Sequence, residues 1–159
     1  ADVLPEMTSL PPAERDEFMV QQQSLFHTVT LRPGAAAVLR ALRNAGMLLG
    51  IASNAQPYTL QEVERALEPE RLALSIFNRD LCFWSFEHGF SKPDPHVFRL
   101  LTARLRLRGV QPGEALMVGD RIDNDLEPAK AQGWQTWQLT NPSNEGRAGD
   151  WPQLGEWIA

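Results

Sequence analysis

LRPGAAAVLRALRNAGMLLGIASN, residues 31–54, decides the fold. After a break at 31–34, Ala35, Val38, Leu39 and Leu42 recur at helical spacing. Gly46 stands where a helix ends on a left-handed residue. Met47 to Ala52 is then a continuous apolar run that stops at Ser53-Asn54. A short run of this kind, closed by small polar residues, predicts a buried parallel strand with a functional C-terminal edge.

The same alternation continues outward. Leu60, Val63 and Leu67 mark another helix, and Leu81 to Trp84 a short strand. Asp94 is placed to cap a helix with Pro95 at its first position, and Val97, Leu100, Leu101 and Leu105 line its buried face. Ala115 to Val118 reads as a strand that runs into Gly119-Asp120. Asp125 to Gln132 reads as a short helix ended by Gly133, and Trp134 to Leu139 as a strand. Trp151, Leu154 and Ile158 form the apolar stripe of a closing helix. Upstream, Pro11-Pro12 opens a helix over Ala13 to His27, with Phe18, Gln22, Leu25 and Val29 on one side. Helices alternating with strands imply an α/β fold, a parallel sheet covered on both faces. Ligands in such folds bind beyond the carboxyl ends of the strands.

Composition narrows the class. The 159 residues suit one domain, with 43% hydrophobic and 22% charged side chains. No window approaches the roughly 18 apolar residues that a membrane span needs. A net charge of −5 argues against a nucleic-acid partner. Cys82 is the single cysteine, which fits a reducing compartment; with no signal-peptide pattern at the start, a cytoplasmic location is expected. Of fifteen basic residues only Lys92 and Lys130 are lysine. In a chain so biased toward arginine, a lysine marks a place where arginine would not serve.

Three segments hold the chemistry: IASNAQ (51–56), SKPDPHVF (91–98) and VGDRIDND (118–125). Ser53, with the amides of Asn54 and Ala55, offers hydrogen bonds to a phosphoryl oxygen. Lys92 offers a charge to neutralise it. Asp120 and Asp125 offer oxygens to one hard cation, and Mg²⁺ accepts a few carboxylates with water and phosphate. Phosphoryl transfer needs an anion site beside such a cation, because its catalysis is largely positioning and charge stabilisation. Taken singly, each segment also has a plain reading: a turn former, a helix start capped by Asp94, a solvated loop. Other features keep plain readings too. Trp134, Trp137, Trp151 and Trp157 suit helix-on-sheet packing, His88 and His96 suit local backbone contacts, Cys82 suits a small core position and Lys130 a solvated face.

Together the three segments resemble the haloacid dehalogenase-like hydrolase superfamily, whose members are mostly Mg²⁺-dependent phosphatases. The resemblance runs from Leu31 to about Leu139. Ser53 falls in the Ser/Thr position of the second motif. Phe86 to Phe98 is similar to the third, with Lys92 as its lysine. VGDRIDNDLEPAKAQGW is similar to the fourth, with Asp120 as metal-binding acid and Asp125 as second acid. The resemblance implies a three-layer, Rossmann-like α/β core over 31–159, with residues 1–30 the remnant of a helical cap. It implies a hydrolase of a small phosphorylated metabolite, with Ser53, Asn54 and Lys92 on substrate, Ser53, Lys92 and Asp120 in catalysis, and Asp120 and Asp125 on Mg²⁺.

The family's first motif, a strand ending in Asp-x-Asp whose first Asp is the nucleophile, has no match. Asp2 has only Ala1 before it, Asp16 lies within a helix, and Asp80 falls between the second and third motifs. The chain is therefore expected to lack its native N-terminus and the central strand, and to be inactive by itself. Two alternatives stay open. One is a non-catalytic binding or scaffold domain that kept the fold. The other is a 2-haloacid dehalogenase, which needs no metal and has no use for the Asp120–Asp125 acid pair.

Overall fold

Helix and strand alternate through the computed structural model, which describes residues 10–26, 29–144 and 146–159. The main elements in order are α1 (Pro12–Phe26), α2 (Ala35–Asn44), β1 (Ala52–Ser53), α3 (Thr59–Leu67), β2 (Phe83–Trp84), α4 (Ser85–His88), α5 (Pro95–Leu107), β3 (Leu116–Gly119), α6 (Glu127–Lys130), β4 (Gln135–Leu139), β5 (Ala148–Gly149) and α7 (Trp151–Ile158). Among these residues no helix is long and apolar enough to cross a membrane.

All described strand pairs are parallel, and they fall into two sheets. β1 pairs with β2, Ala52 opposite Phe83. β4 lies between β3 and β5, with Leu116 opposite Gln135 and Gln138 opposite Ala148. β1 and β3 therefore each keep one edge that no described strand covers. Ala52 of β1 and Met117 of β3 pack on the same cluster of Phe83, Val97, Phe98, Leu101 and Ala129. Helix α5 thus spans both sheets on one face. On the other face, Val38 of α2 and Leu154 of α7 close over Trp137. Parallel strands covered on both faces are the α/β layering that the sequence predicts.

Several elements differ in extent from the sequence pattern. The apolar run predicts a strand over 47–52, but only Ala52–Ser53 forms a ladder, and Met47 and Leu48 are 52% and 39% exposed. The run has a neighbour on one side only. Leu49 N–H donates to Asn78 Oδ1 at 3.0 Å, Asn78 N–H donates to Leu49 O at 2.7 Å, and Phe83 N–H donates to Ile51 O at 2.6 Å. The helix expected from Asp125 starts earlier, with a wide turn over Ile122–Leu126 in which Leu126 N–H reaches Arg121 O. It ends at Gly133, φ +83°, as expected. β5, two residues long, is too short for any periodic signal.

Local chemistry explains the boundaries. Gly34 precedes α2 at φ +81°, and a Cβ there would meet Pro152 Cδ at 2.7 Å, so the α2–α7 contact requires glycine. Asp94 accepts His96 N–H at 2.8 Å and caps α5. Asp150 and Gln153 cap α7 reciprocally. The described side chains of α1 include none that is buried; Phe18 and Gln22 are half-covered and Val29 is exposed. His27, at the end of the expected helix, lies outside the described residues.

Candidate functional site

Lys92 and Asp125 form the centre of the candidate site. Lys92 Nζ lies 2.6 Å from Asp125 Oδ1, and their side chains are only 10% and 7% exposed. A pair so withdrawn from water persists because each charge compensates the other. Asp125 is held from its other oxygen as well, since Oδ2 accepts Arg121 N–H at 3.3 Å. Its place depends on Gly119: a Cβ on residue 119 would lie 2.6 Å from Asp125 Oδ2.

Lys92 is positioned equally firmly through its backbone. Asn54 Nδ2 donates to Lys92 O, and Lys92 N–H donates to Asn54 Oδ1, both at 2.8 Å. This reciprocal amide pair ties the end of β1 to the loop before α5, across a cis Lys92–Pro93 bond. The Asn54 side chain, expected on substrate, is thereby spent on holding Lys92. The Ala55 amide, expected as a phosphoryl donor, is also spent: Ala55 N–H donates to Ser85 Oγ at 2.9 Å, and Ser85 donates back to Ala55 O at 3.1 Å. The half-buried Ser53, two residues back, makes no side-chain hydrogen bond with another described residue.

Asp120 directly follows β3 and lies in more open surroundings. Arg32 Nη2 lies 3.2 Å from its Oδ2, both side chains being 55% exposed. Oδ1 has no partner among the described residues. Asp123 is tied to Arg121 at 2.8 Å, and that guanidinium holds its carboxyl below the usual range. Among the described residues no three His, Cys, Asp or Glu converge as a ready metal cage. Mg²⁺ does not require one, since one or two carboxylates with water and phosphate suffice. Asp120, half-exposed with one free oxygen, fits that donor chemistry. Asp125, with both oxygens engaged, fits as the group that orients its surroundings.

Arg32, Ser85 and the Asn78 clasp on Leu49 are positions that the sequence reading misses. Arg32 lies in the LRPG break, where a lone arginine carries no signal, and Ser85 looks like any turn serine. The histidines keep their plain roles: His88 Nδ1 lies 3.1 Å from Trp84 O, and His96 Nδ1 2.7 Å from Asp94 Oδ1. The tryptophans divide between the two faces. Trp137 is buried under α2 and α7, whereas Trp134 donates to Thr102 Oγ1 at 2.9 Å and meets Phe98 edge-on under α5.

A family model described as hydrolase, haloacid dehalogenase-like hydrolase, matches residues 6–133. Glyceraldehyde 3-phosphate phosphatase of Pyrococcus furiosus is 36% identical over 104 residues, 65% of this chain and 40% of that protein. Phosphoserine phosphatase of Thermus thermophilus is 34% identical over 105 residues, 65% and 38% of the two chains. The crystal structure of a HAD phosphatase from Thermococcus onnurineus superposes with a TM-score of 0.64 at 25% identity, covering 94% of this chain and 65% of that one. The chain thus spans about two-fifths of the length of these two curated relatives.

Proposed function

The chain belongs to the haloacid dehalogenase-like hydrolase family, and from that premise we propose that it supplies the phosphate- and metal-binding side of a Mg²⁺-dependent phosphatase. The substrate class is a small phosphorylated metabolite. The observation that carries the proposal is the buried Lys92–Asp125 pair, locked by Asn54 at the carboxyl end of β1. A cation fixed at a strand end, beside a free serine hydroxyl, suits a transferring phosphoryl group.

In this reading Ser53 donates to a phosphoryl oxygen and Lys92 offsets its charge. Asn54 positions Lys92. Asp120 holds Mg²⁺, and Asp125 keeps Lys92 in register with it. Mg²⁺, when bound, supplies positive charge against the phosphoryl oxygens. The nucleophile lies outside residues 1–159, on a further parallel strand seated between the open edges of β1 and β3. Its carboxylate attacks phosphorus and the ester P–O bond breaks; the second Asp of the Asp-x-Asp motif gives the departing oxygen its proton, leaving an alcohol, and then takes a proton from the water that cleaves the aspartyl-phosphate to free phosphate. Residues 1–30 are the remnant of a cap that closes over this site, and 31–159 form the core without that strand.

The test is a screen of the full-length protein against a panel of small phosphorylated metabolites and against 2-chloropropionate. Phosphate release that needs Mg²⁺ and is lost in Asp120→Asn is the expected result. Chloride release that survives EDTA would establish a dehalogenase instead, and no turnover of either kind would favour a binding domain.

A further inference from the structure

β1 and β2 pair through Ala52 opposite Phe83 and Ser53 opposite Trp84. One rung of this ladder is Phe83 N–H on Ile51 O at 2.6 Å. Bonded residues recur at every second position along a parallel pair, so the ladder would in turn send Ala55 N–H to the carbonyl of residue 85. That carbonyl is already spent. The chain turns into α4 at Ser85, and Ser85 O accepts Gly89 N–H at 3.2 Å.

The Ser85 hydroxyl stands in for the lost carbonyl. Its Oγ accepts Ala55 N–H at 2.9 Å and donates to Ala55 O at 3.1 Å. Ala55 is 7% exposed, so its amide has little recourse to water, and a buried amide without a partner is costly. One hydroxyl thus extends the grip of β2 on the β1 segment by a rung after β2 itself has ended. Among the described residues the Ser85 side chain bonds only Ala55, so it is not spent on capping α4.

A second clasp lies one residue back. Asn54 exchanges two 2.8 Å hydrogen bonds with the backbone of Lys92. Consecutive residues are therefore gripped by two different segments, Asn54 by the loop before α5 and Ala55 by the start of α4. The peptide between them has little freedom. Ser53, whose hydroxyl stays free, leads directly into this held turn.

We propose that Ser85 is a positioning residue of the anion site. By fixing Ala55 it fixes the 53–55 backbone, and through that backbone it aims the Ser53 hydroxyl and keeps Asn54 on Lys92. Ser85 itself does not meet the phosphoryl group. The inference rests on the phosphatase reading for the identity of the anion, but the clasp and its reach to Lys92 do not. Displacement of binding groups by about an ångström is enough to weaken phosphoryl binding and turnover severely.

The experiment uses the full-length protein with Mg²⁺, p-nitrophenyl phosphate as substrate and inorganic phosphate as competitive inhibitor. Ser85→Ala should raise the inhibition constant of phosphate and lower kcat/KM, each about tenfold or more. Ser85→Thr keeps the hydroxyl and should stay within about threefold of the parent. Ser85→Ala added to Asn54→Ala should cost less than about threefold more, because both act on one turn. A serine needed only for folding would lower the urea midpoint and leave the inhibition constant alone. That result, independent losses in the double variant, or Ser85→Thr no better than Ser85→Ala would each overturn the proposal. Should Ser85→Ala not fold, Ser85→Cys keeps the size with a weak donor and acceptor, and should lose about threefold or more. Amide hydrogen exchange separates this inference from the phosphatase reading. Even if the parent released no phosphate, Ser85→Ala should speed exchange of both the Ala55 and the Lys92 N–H about tenfold or more. Faster exchange at Ala55 with none at Lys92 would overturn the relay through Asn54.

Discussion

Gly119 and Asp125 occupy one space: a Cβ on residue 119 would lie 2.6 Å from Asp125 Oδ2 and 2.7 Å from its Cβ. The requirement is steric rather than conformational, and it links the end of β3 to the loop before α5 through Lys92. Gly119→Ala should push Asp125 aside and loosen Lys92. The expected cost is about 1–3 kcal/mol of stability, typical of overpacking, read as a lower urea midpoint. Turnover in the full-length protein should fall more than about tenfold. An unchanged midpoint and rate would mean that Asp125 is free to move.

Asp125→Asn should leave the Lys92 ammonium buried without its counter-charge. Removing one partner of such a pair costs about 3 kcal/mol or more, whereas removing both costs less. Lys92→Met placed on Asp125→Asn should therefore recover part of the loss. A double-mutant cycle by chemical denaturation checks this, and strictly additive losses would show that the two residues are not coupled.

Lys92→Arg keeps the charge and changes the shape. A planar guanidinium does not fit where an ammonium sits 2.6 Å from a carboxylate with its side chain 10% exposed. Activity of the full-length protein should fall about a hundredfold, or ~2.7 kcal/mol of transition-state stabilisation. Lys130→Arg, on the exposed end of α6, should be near neutral for turnover. Retention of activity within about threefold in Lys92→Arg would make Lys92 only a helix-start residue.

Residues 1–159 alone should not hydrolyse p-nitrophenyl phosphate with Mg²⁺. Ser53 and Lys92 suit binding and charge stabilisation, and Asp120 suits the metal. Asp80 is paired with Arg108, Asp94 with His96 and Asp123 with Arg121. Metal-dependent turnover abolished by Asp120→Asn would require a nucleophile within residues 1–159.

Cys82 offers a pH test. Burial pushes its thiol up, with the nearby charges of Asp80 and Glu87 acting the same way. Its thiolate fraction at pH 8 should be below that of a free cysteine, so Ellman's reagent should react more slowly than with cysteine itself. A group whose folded value is raised stabilises the fold fully below its unfolded value and loses that contribution as pH rises through the folded one. Stability referred to this residue should thus be flat at neutral pH and decline in alkali, a decline absent in Cys82→Ala. Reaction as fast as free cysteine would show the thiol to be unshielded.

The sequence alone determined the helix–strand alternation, the Asp94 cap, the Gly133 stop and the three segments that hold Ser53, Lys92, Asp120 and Asp125. These are local features: periodicity, capping and turn chemistry act within a few residues and leave a readable pattern. Tertiary structure alone decided how those residues are used. Arg32 meets Asp120 across 88 positions, and Asn54 clasps Lys92 across 38. Such pairings depend on which strand lies beside which and on the helices that cross between them. No local period records either. The shortness of β1 has the same origin: its apolar run is strand-like throughout, but a ladder forms only where a neighbouring strand offers its hydrogen bonds.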